Sequence, residues 1–247
     1  MKQIILTPAM GKRLIGKGMA AHAEIQRVLE RGTLVIIAGT TNGYVAEEIL
    51  AVLGQEDSFS RHGFRRGMQV PPGFQAEELP FPGDVVIRDG AWQKGATIVD
   101  VVETLGEGDV VLKGANAFDP RGQAAVHIGS STGGTILAAL HAIIGRRVQL
   151  IVPVGLEKRV VEDVNAIVGR VNAPGTEGPR LFPLPGRIFT ELDAIRLLTG
   201  ARPELVAAGG VYGAEGAVWL GLSGTAEQLQ SAGALIHSVA DEPPCRV

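Results

Sequence analysis

The sequence predicts an α/β fold, with a Rossmann-like, mostly parallel sheet and a small C-terminal α+β lobe. Three observations predict it. Short β-branched runs alternate with longer segments of helical periodicity. The run TLVIIA at residues 33–38 is apolar throughout, the mark of a strand buried on both faces. Past residue 186 the order becomes helix, hairpin, helix, which reads as an α+β lobe. The expected division is an α/β ligand-binding domain over residues 1–186, a small α+β lobe over 187–240 and a flexible tail over 241–247.

In chain order, the first strand is KQIILT at residues 2–7, closed by Pro8. Residues 12–31 place Leu14, Ile15, Ile25, Val28 and Leu29 at helical intervals, and Gly32 supplies the stop. The strand at 33–38, a glycine-bearing loop and the helix YVAEEILAVL at 44–53 form a βα unit. Residues 54–82 hold RHGFRRG and a run of prolines, a connection long enough to suggest function or mobility. Then come a strand at 84–88, a turn at Asp89-Gly90, a short helix at 98–105 and a strand at 109–112. A loop over 113–131 leads into the helix TGGTILAALHAII at 132–144, the strand QLIVP at 149–153 and a helix at 160–167. Residues 169–186, rich in Gly and Pro, read as a boundary. Beyond it stand a helix at 191–198, strands at 204–208 and 217–222 around the turn AGGVYGAEG, and a helix at 225–239.

Composition narrows the class. Hydrophobic residues make up 45% and charged residues 20% of 247, which excludes a disordered chain. A net charge of −3 gives no global field for nucleic acid or an anionic membrane, so neither partner is expected. Cys245 alone makes neither an internal disulfide nor a cysteine zinc site, and the five histidines show no metal-ligand spacing. No apolar run approaches the roughly 20 residues of a membrane helix, so a soluble, cytoplasmic protein is expected.

Ligands in open α/β sheets bind beyond the carboxyl ends of strands, and three such loops stand out. In the first, Gly39, Thr40, Thr41 and Asn42 offer close backbone approach, hydroxyls and free helix-start amides for an anion. The alternative is that Thr41 or Asn42 merely caps the helix. In the second, Lys113, Gly114 and Asn116 offer charge and hydrogen bonds, with Asp119 as a general base. The alternative is a solvated turn, with Asn116 left-handed and Asp119 bonded to its own backbone. In the third, Ser130, Ser131, Thr132, Gly133, Gly134 and Thr135 enter a helix. Four hydroxyl residues in one loop exceed what capping needs.

Weaker candidates flank these loops. Glu157 and Lys158 follow the strand QLIVP and either reach the cleft, Glu157 as an acid or base, or pair on the surface. Arg61, His62, Arg65 and Arg66 form a basic cluster that closes over an anion or stays solvated. His127 and His141 sit in apolar contexts and read as core residues, or as residues supporting a site from behind, rather than as catalysts. Lys12 and Arg13 read as an anion contact or as the wet side of a helix. There is no Walker A or G-x-G-x-x-G match, so a nicotinamide dehydrogenase is not expected and no cofactor follows.

The strand TLVIIA followed by GTTNGYVAEEIL resembles the opening unit of ribose phosphate isomerases, where a hydroxyl-rich G-T-G-S-T loop binds the sugar phosphate. The stretch GDVVLKGANAFDPRGQAAVHIGSSTGGTILAAL, then RRVQLIVPVGLEKRV, sits where those enzymes carry their D-G-A-D-E and K-G-G-G-G-A loops. TELDAIRLLTG and ELVAAGG are similar to their small α+β insertion. The likeness spans residues 33–158 and is to a superfamily of sugar-phosphate isomerases and deaminases, CoA transferases and sugar-sensing domains. It implies a phosphate-binding cradle. The isomerase chemistry is not implied: Lys113, Gly114, Ala115, Asn116 and Ala117 replace the acidic loop, leaving only Asp119 nearby.

The leading expectation is therefore a protein that binds a phosphorylated or otherwise anionic metabolite: a sugar phosphate, a nucleotide or a CoA-type ligand. Its rivals are an isomerase- or transferase-like enzyme using Asp119 or Glu157, and a non-catalytic sensor or oligomer-forming protein. A homo-oligomer is expected.

Overall fold

In the computed structural model, residues 1–66, 73–74 and 81–244 are described. The residues Val70, Pro71, Pro72 and Pro80 of the long connection lie outside them, as does Cys245. The chain opens with β1 (Lys2–Leu6), α1 (Pro8–Ala20) and α2 (Ala23–Glu30), then β2 (Thr33–Ile36) and α3 (Thr40–Val52). Where one helix was expected over 12–31 there are two. The first begins at Pro8, whose fixed φ suits a first helical position, and it ends at Ala21. His22 then caps the second, its Nδ1 accepting from the Glu24 N–H.

β3 (Val85–Arg88) and β4 (Ala91–Trp92) form a hairpin on Asp89 and Gly90, with φ of 49° and 76°. Two positive φ values are what a two-residue hairpin turn of the favoured twist requires. There follow α4 (Ile98–Val101), β5 (Val110–Leu112), β6 (Ala117–Phe118), β7 (Ala124–Ile128), α5 (Gly134–Gly145) and β8 (Gln149–Pro153). The chain continues through α6 (Val164–Val171), β9 (Arg180–Leu184), β10 (Arg187–Phe189), α7 (Glu191–Thr199), β11 (Arg202–Ala208), β12 (Val218–Ser223) and α8 (Ala226–His237).

The result is a mixed α/β protein. Its six-stranded sheet has the order β10-β8-β5-β2-β3-β4. The neighbours from β10 to β2 run parallel, and the hairpin adds two antiparallel strands at the other edge. β2 is buried at every position, as its unbroken apolar run implies. A second sheet, β6-β7-β9, occupies stretches read from sequence as loop and boundary. A third joins β1 to β12 and β11, so the chain's first strand pairs with the C-terminal hairpin. Arg187–Phe189, placed by sequence in the C-terminal part, pairs with β8 in the central sheet.

Helix α1 lies close to α3 and α7 because of two glycines. A Cβ on Gly16 would stand 2.8 Å from the Tyr44 carbonyl oxygen, and one on Gly18 would stand 2.7 Å from Ala194 Cβ. No helix among the described residues is long and apolar enough to cross a membrane.

Candidate functional site

Adjacent parallel strands bring their carboxyl ends together, so the chain leaving β2, β5 and β8 converges at one edge. Asn42 ties two of these ends, its Nδ2 donating to the Ile37 carbonyl (2.8 Å) and the Leu112 carbonyl (3.1 Å). β7 supplies Val126, His127 and Ile128 as an opposite wall, and the start of α5 closes the side. Between them lies a cavity of about 320 Å³. All three loops singled out from sequence reach it. Gly39, Thr40, Thr41, Asn42, Lys113, Gly114, Asn116, Ser130, Gly133, Gly134, Thr135 and Lys158 line it; Ser131 and Thr132 do not. Thr132 instead turns onto Ser130, its hydroxyl 2.9 Å from the Ser130 hydroxyl.

The capping alternative fails at both helices facing the cavity. Gly39 precedes α3 and Gly133 precedes α5, and neither helix start receives a side-chain cap. Thr41 and Asn42 lie inside the first turn of α3, where Thr41 Oγ1 and Asn42 Oδ1 are buried without a hydrogen-bond partner among the described residues. At α1, α2, α6, α7 and α8 a side chain caps the helix start: Thr7, His22, Asp163, Thr190 and Thr225. At α4 the Ile98 N–H donates to Asp84. The left-handed φ of 79° at Gly133 makes the sharp entry into α5.

Three cations line the same space: Lys113, Lys158 and Arg66. No carboxylate lines it among the described residues. Lys113, only 9% exposed, makes neither a side-chain hydrogen bond nor an ion pair with any described residue. Burial pulls its ammonium down to about 8; Asp84 opposes the shift, while Arg66 and Lys158 add to it. Burial also lowers Lys158, with Glu157 opposing and Lys12 adding to the effect.

Asp84 stands behind the wall, 1% exposed, and its carboxylate organises the floor. It accepts from the Ala38 N–H (3.0 Å) and the Ile98 N–H (2.9 Å), and Arg66 approaches to 3.4 Å. Asn116 is not left-handed. Its Oδ1 accepts from the His127 N–H at 2.9 Å, joining the loop after β5 to β7.

The two acid–base candidates are elsewhere. Asp119 caps local backbone, accepting from the N–H groups of Arg121 (2.9 Å), Gln123 (3.1 Å) and Val164 (3.0 Å). Burial opposes its ionisation, yet these bonds hold its pKa below the ordinary carboxylate value. Glu157 pairs with Lys12 Nζ at 2.9 Å rather than with Lys158. Lys12 is thus neither a wet helix face nor an anion contact. Arg13 is absorbed too, by Glu47, Glu48 and Glu242 at 2.7, 3.0 and 2.8 Å. The basic cluster divides: Arg61 joins that network through Glu47 at 2.6 Å, and Arg66 goes to the cavity. His127, read as core or supporting, lines the cavity itself, on a strand whose backbone is held by Asn116 and β9.

Compared with protein-family models and with curated proteins, the chain finds no match.

Beneath the Lys158 turn lies Glu191, 1% exposed, accepting from the Leu156 N–H at 3.0 Å. Burial and the neighbouring Glu157 charge push its carboxyl up to about 8. The folded state therefore holds this proton more tightly than the unfolded chain. Its stabilising effect is complete below the ordinary Glu pKa of about 4.3 and is lost as pH rises through about 8. Glu191→Gln keeps an acceptor for Leu156 and removes the charge. Its unfolding free energy, read from urea midpoints, should gain on the parent's between pH 6 and pH 9, by on the order of a few kcal/mol at the upper end. Parallel midpoints across that range would show Glu191 to be ordinary.

Proposed function

We propose that the protein binds a small anionic metabolite, phosphorylated or CoA-like, at the carboxyl ends of β2, β5 and β8. One observation carries the reading: three cations and two uncapped helix starts surround a cavity on whose described wall no carboxylate stands. Free N–H groups at a helix start carry partial positive charge, and buried lysines gain little from facing one another. An anion would satisfy both. The parallel order β10-β8-β5-β2 supports the Rossmann-like reading, since ligands of such sheets lie beyond the carboxyl strand ends. The likeness of these loops to sugar-phosphate isomerases favours a phosphate over a bare carboxylate. With Asp119 and Glu157 committed elsewhere, the carboxylate-driven isomerisation loses its two candidates, and binding is the reading we adopt.

A thermal-shift screen with inorganic phosphate, sugar phosphates, nucleotides and CoA esters tests it. A ligand at a hundredfold excess over Kd adds about 2.7 kcal/mol, several degrees for a chain of this size. Dephosphorylated counterparts should give no shift; equal shifts from neutral and charged forms would overturn the reading.

Gly39 gives a second handle. Its backbone is extended (φ 172°), and a Cβ there would meet nothing within 4 Å. Gly39→Leu should therefore leave the unfolding free energy within about 0.5 kcal/mol of the parent's while filling the cavity and abolishing the ligand-induced shift. A retained shift would mean that the ligand binds elsewhere.

A further inference from the structure

We propose that Lys113 condenses with the carbonyl group of a phosphorylated aldehyde or ketone and holds it as an imine, an inference that rests on the anion-binding reading above. Lys158, Arg66 and the starts of α3 and α5 already provide positive charge around the cavity. A phosphate therefore does not depend on Lys113 as its sole cation. The position of Lys113 is also that of a nucleophile. The backbone is fixed in the sheet by the bond from Lys113 N–H to the Ile151 carbonyl (3.2 Å). The side chain is 9% exposed, and no described carboxylate or carbonyl holds the amine.

An amine in apolar surroundings beside other cations loses its proton readily, which is how lysine becomes reactive towards carbonyl carbon. With a pKa of about 8, roughly a tenth of Lys113 is neutral at pH 7, against about one part in 2,500 for an ordinary lysine. Among the described residues Asp84 is the one acidic group acting on it; Arg66 and Lys158 are the cations.

The chemistry balances without a redox partner. The Nζ lone pair forms a bond to the carbonyl carbon, the carbonyl π pair moves to oxygen, and that oxygen takes a proton. The nitrogen releases a proton to give a neutral carbinolamine. Its oxygen takes a second proton and leaves as water while the nitrogen lone pair forms the carbon–nitrogen double bond, and the resulting iminium nitrogen gives up its last proton to leave the imine. His127 lines the same cavity and is placed to carry these protons between nitrogen and oxygen.

The test uses the full chain with two phosphorylated aldehydes, pyridoxal 5′-phosphate and glyceraldehyde 3-phosphate, followed by borohydride reduction and peptide mass mapping. The expected result is one reduced adduct per chain on the peptide carrying Lys113, suppressed about tenfold by excess inorganic phosphate. Trapping should rise with a midpoint near pH 8. Lys113→Arg should yield no adduct at that peptide; if that variant does not fold, the map of the parent protein decides alone. Adducts on Lys158, or spread over surface lysines with the Lys113 peptide unmodified, overturn the inference. If phosphate raises the melting temperature while Lys113 stays untrapped, imine formation falls and anion binding stands. If neither phosphate nor a phosphorylated probe binds, both fall.

Discussion

Replacing Asp84 with alanine should destabilise the fold by about 3–5 kcal/mol, a large part of the 5–15 kcal/mol that holds a typical domain together. The carboxylate is 1% exposed and accepts from two buried backbone donors, the Ala38 and Ile98 N–H groups, while Arg66 closes its outer side. Alanine would orphan both donors. Each unsatisfied group in a dry interior carries its full desolvation penalty. Lys113 would also lose the one negative charge that acts on its ammonium among the described residues. Asp84→Asn is a graded control. Its remaining carbonyl oxygen serves one donor, but its NH₂ must face another N–H, so a smaller loss of about 1–3 kcal/mol is expected. Urea midpoints at unchanged m-value measure both. A loss below about 1 kcal/mol for the alanine variant would show that Asp84 does not organise the floor.

Asp84 also shows why some of this site was readable from sequence and some was not. The β2 unit was legible because TLVIIA has one interpretation, a strand covered on both faces, and its C-terminal loop then had to lie at the sheet's ligand-binding edge. The loops holding Thr40, Lys113 and Gly134 followed by the same logic, and they share one cavity. Asp84 was silent, because an aspartate opening a strand looks like any solvated loop end. Its role depends on Ala38, 46 residues away.

The second sheet was illegible for a related reason. β6 has two residues, β7 reads AAVHI with little alternation, and β9 contains Pro183, which argues against a strand. They become strands only by pairing with each other across long separations, as Ala125 does with Pro183. His127 was missed along with them. Asp119 and Glu157 misled by position alone: each lies near a strand end, but backbone amides and Lys12 claim them first.

Lys113→Met should separate binding from stability. The buried ammonium has no paired carboxylate among the described residues, and a methionine of similar length removes that desolvation without leaving a hole. The folded-state pKa of about 8 lies below the ordinary lysine value of about 10.4, so the unfolded chain binds this proton more tightly. The penalty is therefore complete below pH 8 and fades as pH rises from about 8 towards 10.4. Lys113→Met should raise stability by about 1–3 kcal/mol at pH 7, with the gain shrinking as pH approaches 10. Anion affinity should fall by about 10- to 100-fold, the range for one lost charge-assisted hydrogen bond. Denaturation midpoints at pH 7 and 10, with calorimetric titration of a sugar phosphate, read the two effects separately. Stabilisation with lost affinity is the signature of a residue retained for its ligand. If the variant is weaker in stability and unchanged in affinity, Lys113 serves the fold instead.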